Sequence, residues 1–159
     1  MVKRISLLLF LGVFFAPGIF AAMVSFLVIE TGLPETAGRN QYSERWESSL
    51  MDVFFEAGHI VSNAPILRLT SKPTAGIEVI AEPDIEEAVE GGADYFIVAQ
   101  LDFTSGSLPP GTVSLLLFRL TPFSKLFERN IQGRTYASVR EESEILRNII
   151  MGLVPHIGE

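Results

Sequence analysis

The sequence predicts a single α+β domain in which three helices pack against a mixed sheet of about five strands. Along residues 23–101, apolar residues occur at strand spacing and at helix spacing in turn. Two more strand-like segments, near residues 112–120 and 126–135, predict a hairpin. A last stripe of apolar residues at helical spacing follows Ser138. Such an alternation, ending in a hairpin and a helix, is typical of a mixed sheet with helices packed against it.

Residues 1–22 have the features of a secretory signal peptide. An N-terminal basic pair precedes an apolar run from Ile5 to Phe15, and two small residues, Ala21 and Ala22, follow. A basic head, an apolar core and a small-residue cleavage site are the three parts of an export signal. We therefore expect a cleaved leader and a periplasmic, or otherwise extracytoplasmic, domain over residues 23–159.

The alternative is an uncleaved membrane anchor. No charged residue occurs between Arg4 and Glu30, and that span is long enough to cross a bilayer. Pro17 and Gly18 argue against an anchor because they would weaken a helix in mid-membrane. Residues 24–29 are also rich in β-branched and aromatic side chains, as a buried strand would be. With the signal cleaved, we expect no stable insertion into the membrane.

Charge and cysteine content exclude several classes of function. The chain has 12 Lys and Arg against 19 Asp and Glu, which gives a net charge of −7. Nucleic acid is not expected as a partner, because binding a phosphate backbone needs clustered basic residues. The chain has no cysteine, which excludes disulfides, thiolate metal sites and an acylated amino-terminal Cys. The exported domain must therefore rely on its hydrophobic core for stability.

The first half of the domain alternates strands and helices. A strand is predicted from Met23 to Glu30, and a helix from Tyr42 to Ala57, whose apolar residues recur at spacings of three and four. Gly58 stands where a helix commonly ends in a left-handed residue. A short second strand is predicted from His59 to Ser62.

The middle of the chain is less regular. Ile77 to Ile80 form an apolar patch that could be a short strand. Asp84 and Glu87 predict a capping box that begins a helix, which a glycine pair then ends. Three apolar residues of this helix are predicted to face inward: Ile85, Ala88 and Val89.

The second half has the clearest patterns. Tyr95 to Leu101 are almost continuously apolar, which predicts a strand buried on both faces. The hairpin that follows is predicted to turn over Thr121 to Lys125. Ser138 and Glu141 form a second capping box, and the apolar stripe of the helix after it is assigned to the core.

Candidate catalytic groups are few. His59 stands at the start of a predicted strand, and a structural or surface role is preferred to that of a general base. Glu44 and Glu47 lie three residues apart on a helix and are explained as a solvated helix face. The chain has only 2 histidines, and they do not form a close pair. The sequence therefore predicts neither a cofactor nor a metal site.

An interaction surface is predicted at the hairpin tip, where aromatic and aliphatic side chains stand beside a polar turn. Its candidate residues are Pro122, Phe123, Lys125 and Leu126. Phe123 is either an exposed anchor for a protein partner or a ring that folds back onto the core, and the sequence leaves both open. His59 and Asn63, around the short second strand, complete the set of interface candidates.

Residues 91–101 carry a resemblance to a known family. The run Gly-Gly-Ala-Asp-Tyr, followed by an apolar strand, resembles a block found in small periplasmic α/β domains. The chain is similar to the curli-secretion-like domain, the TolB-type amino-terminal domain and lipoprotein activators of penicillin-binding proteins. The resemblance implies a non-catalytic domain that docks to other envelope proteins, and it supplies no catalytic residue. Unlike its lipoprotein relatives this chain has no Cys to acylate, and it lacks the segments with which curli-type proteins build a pore.

Three functions are therefore carried forward. The first is an exported, non-catalytic envelope adaptor that binds another protein through a sheet edge or the hairpin. The second is a periplasmic protein that binds a small ligand or cell-wall fragment with the loops at 31–41 and 104–111. The third is a hydrolase that uses His59 with Glu44 or Glu47.

Overall fold

The computed structural model describes residues 21–34, 40–106 and 108–158. Apart from its last two residues, the predicted signal peptide lies outside this part of the chain. Six strands, four helices and a 3-10 turn follow one another in the order given next. They are β1 (Met23–Thr31), α1 (Gln41–Glu56), β2 (Ile60–Asn63), β3 (Leu67–Leu69), α2 (Ile77–Ile80), α3 (Glu82–Glu90), β4 (Tyr95–Asp102), β5 (Thr112–Leu120), β6 (Phe123–Gln132), α4 (Val139–Met151) and the turn Val154–His156.

All six strands belong to one mixed sheet. Its order is β2-β1-β4-β5-β6, and β3 pairs with β1 on the same side as β2. The strands β2, β3 and β4 run parallel to β1, whereas β4, β5 and β6 are antiparallel in turn. The predicted α+β class and mixed sheet are confirmed, with one strand and one helix more than expected.

One face of the sheet, here called the first face, is covered by α1 and α4. The buried side chains of these helices include Trp46, Leu50 and Phe54 from α1 and Leu146 and Ile150 from α4. They pack on alternate, inward-facing residues of β1, β4 and β5. Both helices were predicted from their apolar stripes, and both predictions are confirmed.

Capping residues explain where these two helices begin. The Asn40 side chain accepts a hydrogen bond from the Tyr42 N–H at the start of α1, at 2.9 Å. At the start of α4, Ser138 Oγ accepts from the Glu141 N–H at 3.1 Å, and the Glu141 carboxylate accepts from the Ala137 N–H at 2.7 Å. The Ser138 half of the second predicted capping box is therefore confirmed, whereas the Glu141 carboxylate reaches the N–H one residue before the cap.

The opposite face, here called the second face, is covered by α2 and α3 over only part of its area. Ile85 and Ala88 of α3 pack against Phe96, Val98 and their neighbours. The covered part is the half nearest the amino end of β4. Toward the carboxyl end of β4 the second face carries polar side chains instead, starting at Gln100.

Three predictions in the middle of the chain are wrong. Residues Ile77–Ile80 form a helical turn instead of a strand, because Ile77 and Ile80, three residues apart, both pack inward while Val79 is exposed. The helix α3 begins at Glu82 rather than at a capping box on Asp84 and Glu87. Val89 is 47% exposed and does not face inward.

A physical reason accounts for the early start of α3. Ala81 ends α2 and also precedes α3, and its carbonyl accepts a hydrogen bond from the Ile85 N–H at 2.9 Å. Pro83 occupies the first turn, where a missing N–H costs nothing. The two helices follow each other directly, so no polar cap is needed between them.

The hairpin also differs from expectation in its turn. The strand β6 begins at Phe123, so only Thr121 and Pro122 separate it from β5. Lys125 and Leu126 therefore lie within the strand and not in the turn. Among the described residues, no helix is long and apolar enough to cross a bilayer.

Candidate functional site

Phe123 at the hairpin tip is both exposed and packed. Its ring stacks on Phe118 with 5.5 Å between the centroids and 10° between the planes, yet the residue is 58% exposed. Phe118 itself is buried in the core of the second face. One side of the ring therefore packs on the core and the other side is exposed, and the role of Phe123 as an anchor for a partner stays a prediction.

The other tip residues are differently placed. Pro122 is exposed in the turn, whereas Leu126 is half-buried and packs against the core of the first face. The Lys125 ammonium lies 3.1 Å from the Glu78 carboxylate and 2.5 Å from that of Glu128. A backbone hydrogen bond and the contact with Lys125 together hold the pKa of Glu78 below its ordinary value. Lys125 therefore joins β6 to α2.

The strand β6 forms one edge of the sheet. It is ten residues long, and no other described strand pairs with its outer side. Charged side chains, among them Lys125, Glu128 and Arg129, stand along it. The opposite edge is shorter and interrupted, because β2 and β3 share the outer side of β1 as separate pieces.

His59 and Asn63 lie at this opposite edge, so the structure does not bring them to the hairpin tip. His59 Nδ1 accepts a hydrogen bond from the Ala22 N–H at 3.3 Å, and its ring centroid lies 6.1 Å from that of Phe54. Burial lowers the pKa of His59 below its ordinary value. Asn63 Nδ2 donates to Glu47 Oε1 at 2.6 Å.

These contacts bear on the hydrolase hypothesis. A catalytic His is commonly oriented by a carboxylate within hydrogen-bond reach. In the described part of the chain, Glu47 bonds to Asn63, and His59 bonds to a backbone N–H of the segment before β1. The arrangement at His59 is that of a half-buried neutral imidazole at a strand end. The pairing with Glu44 or Glu47 that the hydrolase hypothesis requires is not formed in the described part of the chain.

A polar cleft on the second face was missed by the sequence reasoning. Six polar side chains of β4, β5 and β6 form its floor, in two rows that run across the strands. The first row is Gln100, Ser114 and Asn130, and the second is Asp102, Thr112 and Gln132. These six residues are called the polar grid below. The cleft above the grid has a volume of about 460 Å³.

The segment from Lys72 to Ile77 forms the facing wall of the polar cleft. Two ion pairs hold this wall and the helix α2 after it over the sheet. The Lys72 ammonium lies 3.5 Å from Asp102 Oδ2, and Glu78 is held by Lys125 as described above. One ion pair therefore links the wall to β4, and the other links α2 to β6.

Hydrogen bonds order the polar grid. Gln100, which is only 8% exposed, donates from Nε2 to Thr31 Oγ1 at 3.0 Å. Ser114 Oγ donates to Asn130 Oδ1 at 2.7 Å. Burial raises the pKa of Asp102, but hydrogen bonds from Thr104 and the nearby Lys72 charge outweigh it and leave the pKa below its ordinary value.

The loops proposed from sequence for ligand binding meet beside this cleft. Gly32, in a left-handed conformation at φ +87°, lies so close to Thr104 that a Cβ there would stand 2.7 Å from the Thr104 nitrogen. The Phe103 N–H donates to the Thr31 carbonyl at 2.8 Å. Residues 35–39 and 107 of these loops lie outside the described part of the chain.

Fold and geometry define a class: a single α+β domain with an open mixed sheet, a free edge strand and a polar cleft on one face. A family model described as an uncharacterised protein matches residues 26–109, which is more than half of the chain. The chain belongs to that family. No curated protein matches the sequence.

Several solved structures are similar to this fold. The PelC dodecamer from Paraburkholderia phytofirmans is 15% identical, with 85% of this chain and 86% of that chain covered and a TM-score of 0.46. TolB from Acinetobacter baumannii is 10% identical, with 85% and 28% covered and a TM-score of 0.46. Lipoprotein GNA1162 from Neisseria meningitidis is 12% identical, with 87% and 99% covered and a TM-score of 0.45. TolB, to which the sequence bears a resemblance, is thus among them; likeness of this degree carries no inference about function.

Proposed function

We propose that this chain is an exported, non-catalytic envelope module that binds another envelope protein along the edge strand β6, with Phe123 as an anchor. The observation that carries the proposal is a ten-residue edge strand that begins at a 58% exposed phenylalanine and whose outer side pairs with no other described strand. Export rests on the basic head and apolar run of residues 1–22.

A free edge strand can bind a partner by strand addition. Its unpaired N–H and C=O groups pair with an extended segment of another chain, and side-chain contacts then give specificity. A strand of ten residues offers a long row of such groups, whereas β2 and β3 offer only four and three residues. For this reason we place the interface at β6 and not at the opposite edge.

Phe123 supplies the anchor that an interface of this kind needs. Exposed aromatic residues at a well-supported position often carry a large share of binding energy. The ring is held in place by its stack on Phe118, so little side-chain freedom is lost on binding.

The charges along β6 restrict which partner can pair. Charged side chains on an edge strand prevent indiscriminate edge-to-edge association. Lys125 and Glu128 already form an ion pair, and Arg129 stands on the other face of the strand. A suitable partner strand therefore carries an acidic residue opposite Arg129.

Site-specific crosslinking in an envelope extract tests the proposal. A photoreactive residue replaces Arg129 in one variant and Phe55 in another; Phe55 is 72% exposed but lies on α1, away from β6. We expect one discrete crosslinked partner from position 129 and none from position 55. Equal crosslinking from both positions, or no crosslinked partner from position 129, would contradict the proposal.

A matched pair of substitutions then tests the anchor. Phe123→Ala should lower affinity for the captured partner by about tenfold or more, as expected for an interface hot spot. Phe55→Ala removes a similar exposed ring elsewhere and should leave the affinity unchanged. An unchanged affinity in Phe123→Ala would remove the anchor from the proposal.

A further inference from the structure

We propose that the polar cleft on the second face is a binding site for a neutral saccharide. The site does not depend on the function proposed for β6, since the grid side chains point to a sheet face and strand addition uses the outer edge. Four features carry the inference: the geometry of the polar grid, the wall above it, the burial of Gln100 and the balance of charge.

The geometry is set by strand register. Gln100 pairs with Ser114, which pairs with Asn130, so three polar side chains stand side by side across the sheet. The second row lies two residues away along each strand, so its side chains stand on the same face of the sheet as those of the first row. The residues between the two rows, Leu101, Val113 and Ile131, point to the first face and pack in or against its core. The grid thus presents hydrogen-bonding groups in two dimensions at strand spacing.

A solvated sheet face would also carry polar residues, but this one is walled. Antiparallel strands commonly place polar residues on a face that meets water. Here the segment Lys72 to Ile77 stands over the grid and encloses about 460 Å³, within the range of about 300 to 1,000 Å³ found for ligand pockets. Gln100 is polar yet buried, at the floor of this space.

The composition of the cleft selects the ligand. Five of the six grid residues are uncharged amides or hydroxyls, and such groups both donate and accept hydrogen bonds; the sixth is Asp102. Among the described residues that line the cleft, two are charged, and these two, Lys72 and Asp102, form an ion pair with each other. A charged ligand would find no unbalanced opposite charge there, whereas the hydroxyl groups of a neutral sugar match the amides, the hydroxyls and the carboxylate.

The side chains are also pre-ordered for such a ligand. Gln100 is held by Thr31, Asp102 by Thr104, and Asn130 by Ser114. Groups already fixed by neighbours lose little conformational freedom when a ligand binds. Pro73 and Ile77 on the wall provide the apolar surface that a sugar ring can cover.

Titration followed by amide NMR tests the proposal. Maltose, cellobiose and N,N′-diacetylchitobiose are each added to the labelled domain, with inorganic phosphate and glutamate as charged probes. We expect at least one of the three sugars to bind with a Kd of about 1 mM or tighter. Its binding should shift the signals of Gln100, Ser114 and Asn130 and leave that of the Trp46 indole unchanged.

Two substitutions at exposed positions, with a third as a control, test whether the sugar binds at the polar grid. Asn130→Ala and Gln132→Ala should each weaken sugar binding at least fivefold, while Arg129→Ala, the neighbour of Asn130 on the other face, should leave it unchanged. All three positions are exposed, so folding is not at risk. The proposal is overturned if none of the three sugars binds, if phosphate or glutamate shifts the same signals, or if Asn130→Ala binds as the native chain does.

Discussion

The two faces of the sheet use the same strands for different purposes. On the first face, α1 and α4 cover an apolar surface that runs from β1 across to β5. On the second face, α2 and α3 cover only the apolar half, and the polar grid occupies the rest. In β4 the change is visible within four residues, since Ala99 and Leu101 are core while Gln100 and Asp102 line the cleft.

The difference shows how a small domain without disulfides can keep a site and remain stable. Burial of apolar area is the dominant favourable term in folding, and the first face provides a larger share of it than the second. The second face can therefore give up part of its area to polar groups. Substitutions on the first face should cost more stability than equivalent ones on the second.

The largest effect is expected from Phe54→Ala. Phe54 is fully buried in the first face, and removing its ring should lower the free energy of unfolding by about 3–5 kcal/mol, from lost burial and the cavity left behind. Urea denaturation followed by circular dichroism measures this. Phe55→Ala is the matched control, because this neighbour is 72% exposed and should change stability by less than about 0.5 kcal/mol. Similar losses for the two variants would show that α1 is rotated.

A smaller loss is expected on the second face. Ile85 of α3 is 8% exposed, and Ile85→Ala should cost about 2–3 kcal/mol, at the lower end of the range for aliphatic core residues. Val89→Ala, one helical turn later, removes a 47% exposed side chain and should cost less than about 1 kcal/mol. If Val89→Ala were as damaging as Ile85→Ala, the inward orientation predicted from the sequence would be right after all.

The ion pairs between α1 and α4 offer a finer comparison within the first face. Arg45 pairs with Glu142, whose side chain is only 5% exposed, whereas Arg147 pairs with Glu56 at the surface. Arg45→Ala leaves a buried carboxylate without its cation and should cost about 2 kcal/mol. Arg147→Ala breaks an exposed pair that also joins the two helices, and it should cost clearly less stability than Arg45→Ala because solvent screens the pair. Equal costs would mean that Glu142 is better solvated than its position indicates.

The elements that pack against the first face were predictable from sequence. The helices α1 and α4 carry long apolar stripes with capping residues. The strand β4 is apolar from Tyr95 to Ala99 because both of its faces are covered there. Each of these patterns depends on residues near one another in the chain. The turn of α2 was missed because four residues with three apolar side chains fit a strand or a helix equally well.

The candidate site was harder to predict, since it depends on strand register. In the sequence, Thr112 and Ser114 alternate with apolar residues, and Gln100 and Asp102 do the same. This pattern shows only that one face of β4 and of β5 becomes polar at one end of the strand. That Gln100 stands beside Ser114, and Ser114 beside Asn130, follows from long-range pairing. The wall at Lys72 lies in a segment without a periodic pattern, so its position over the grid could not be inferred.

The smallest effect is expected from His59, at the border of the first face beside Phe54. Burial lowers the pKa of His59 below its ordinary value of about 6.5, so the unfolded chain binds the proton more readily than the folded one. The contribution of neutral His59 to stability is therefore present above that ordinary value and is lost as the pH falls through the lowered one. His59→Gln cannot titrate, so the native chain should lose more stability than the variant between pH values of about 7.5 and 5.5. Urea midpoints at the two pH values measure the difference. A native chain that gains stability relative to His59→Gln on acidification would place a negative charge near His59 and reopen the pairing with Glu44 or Glu47.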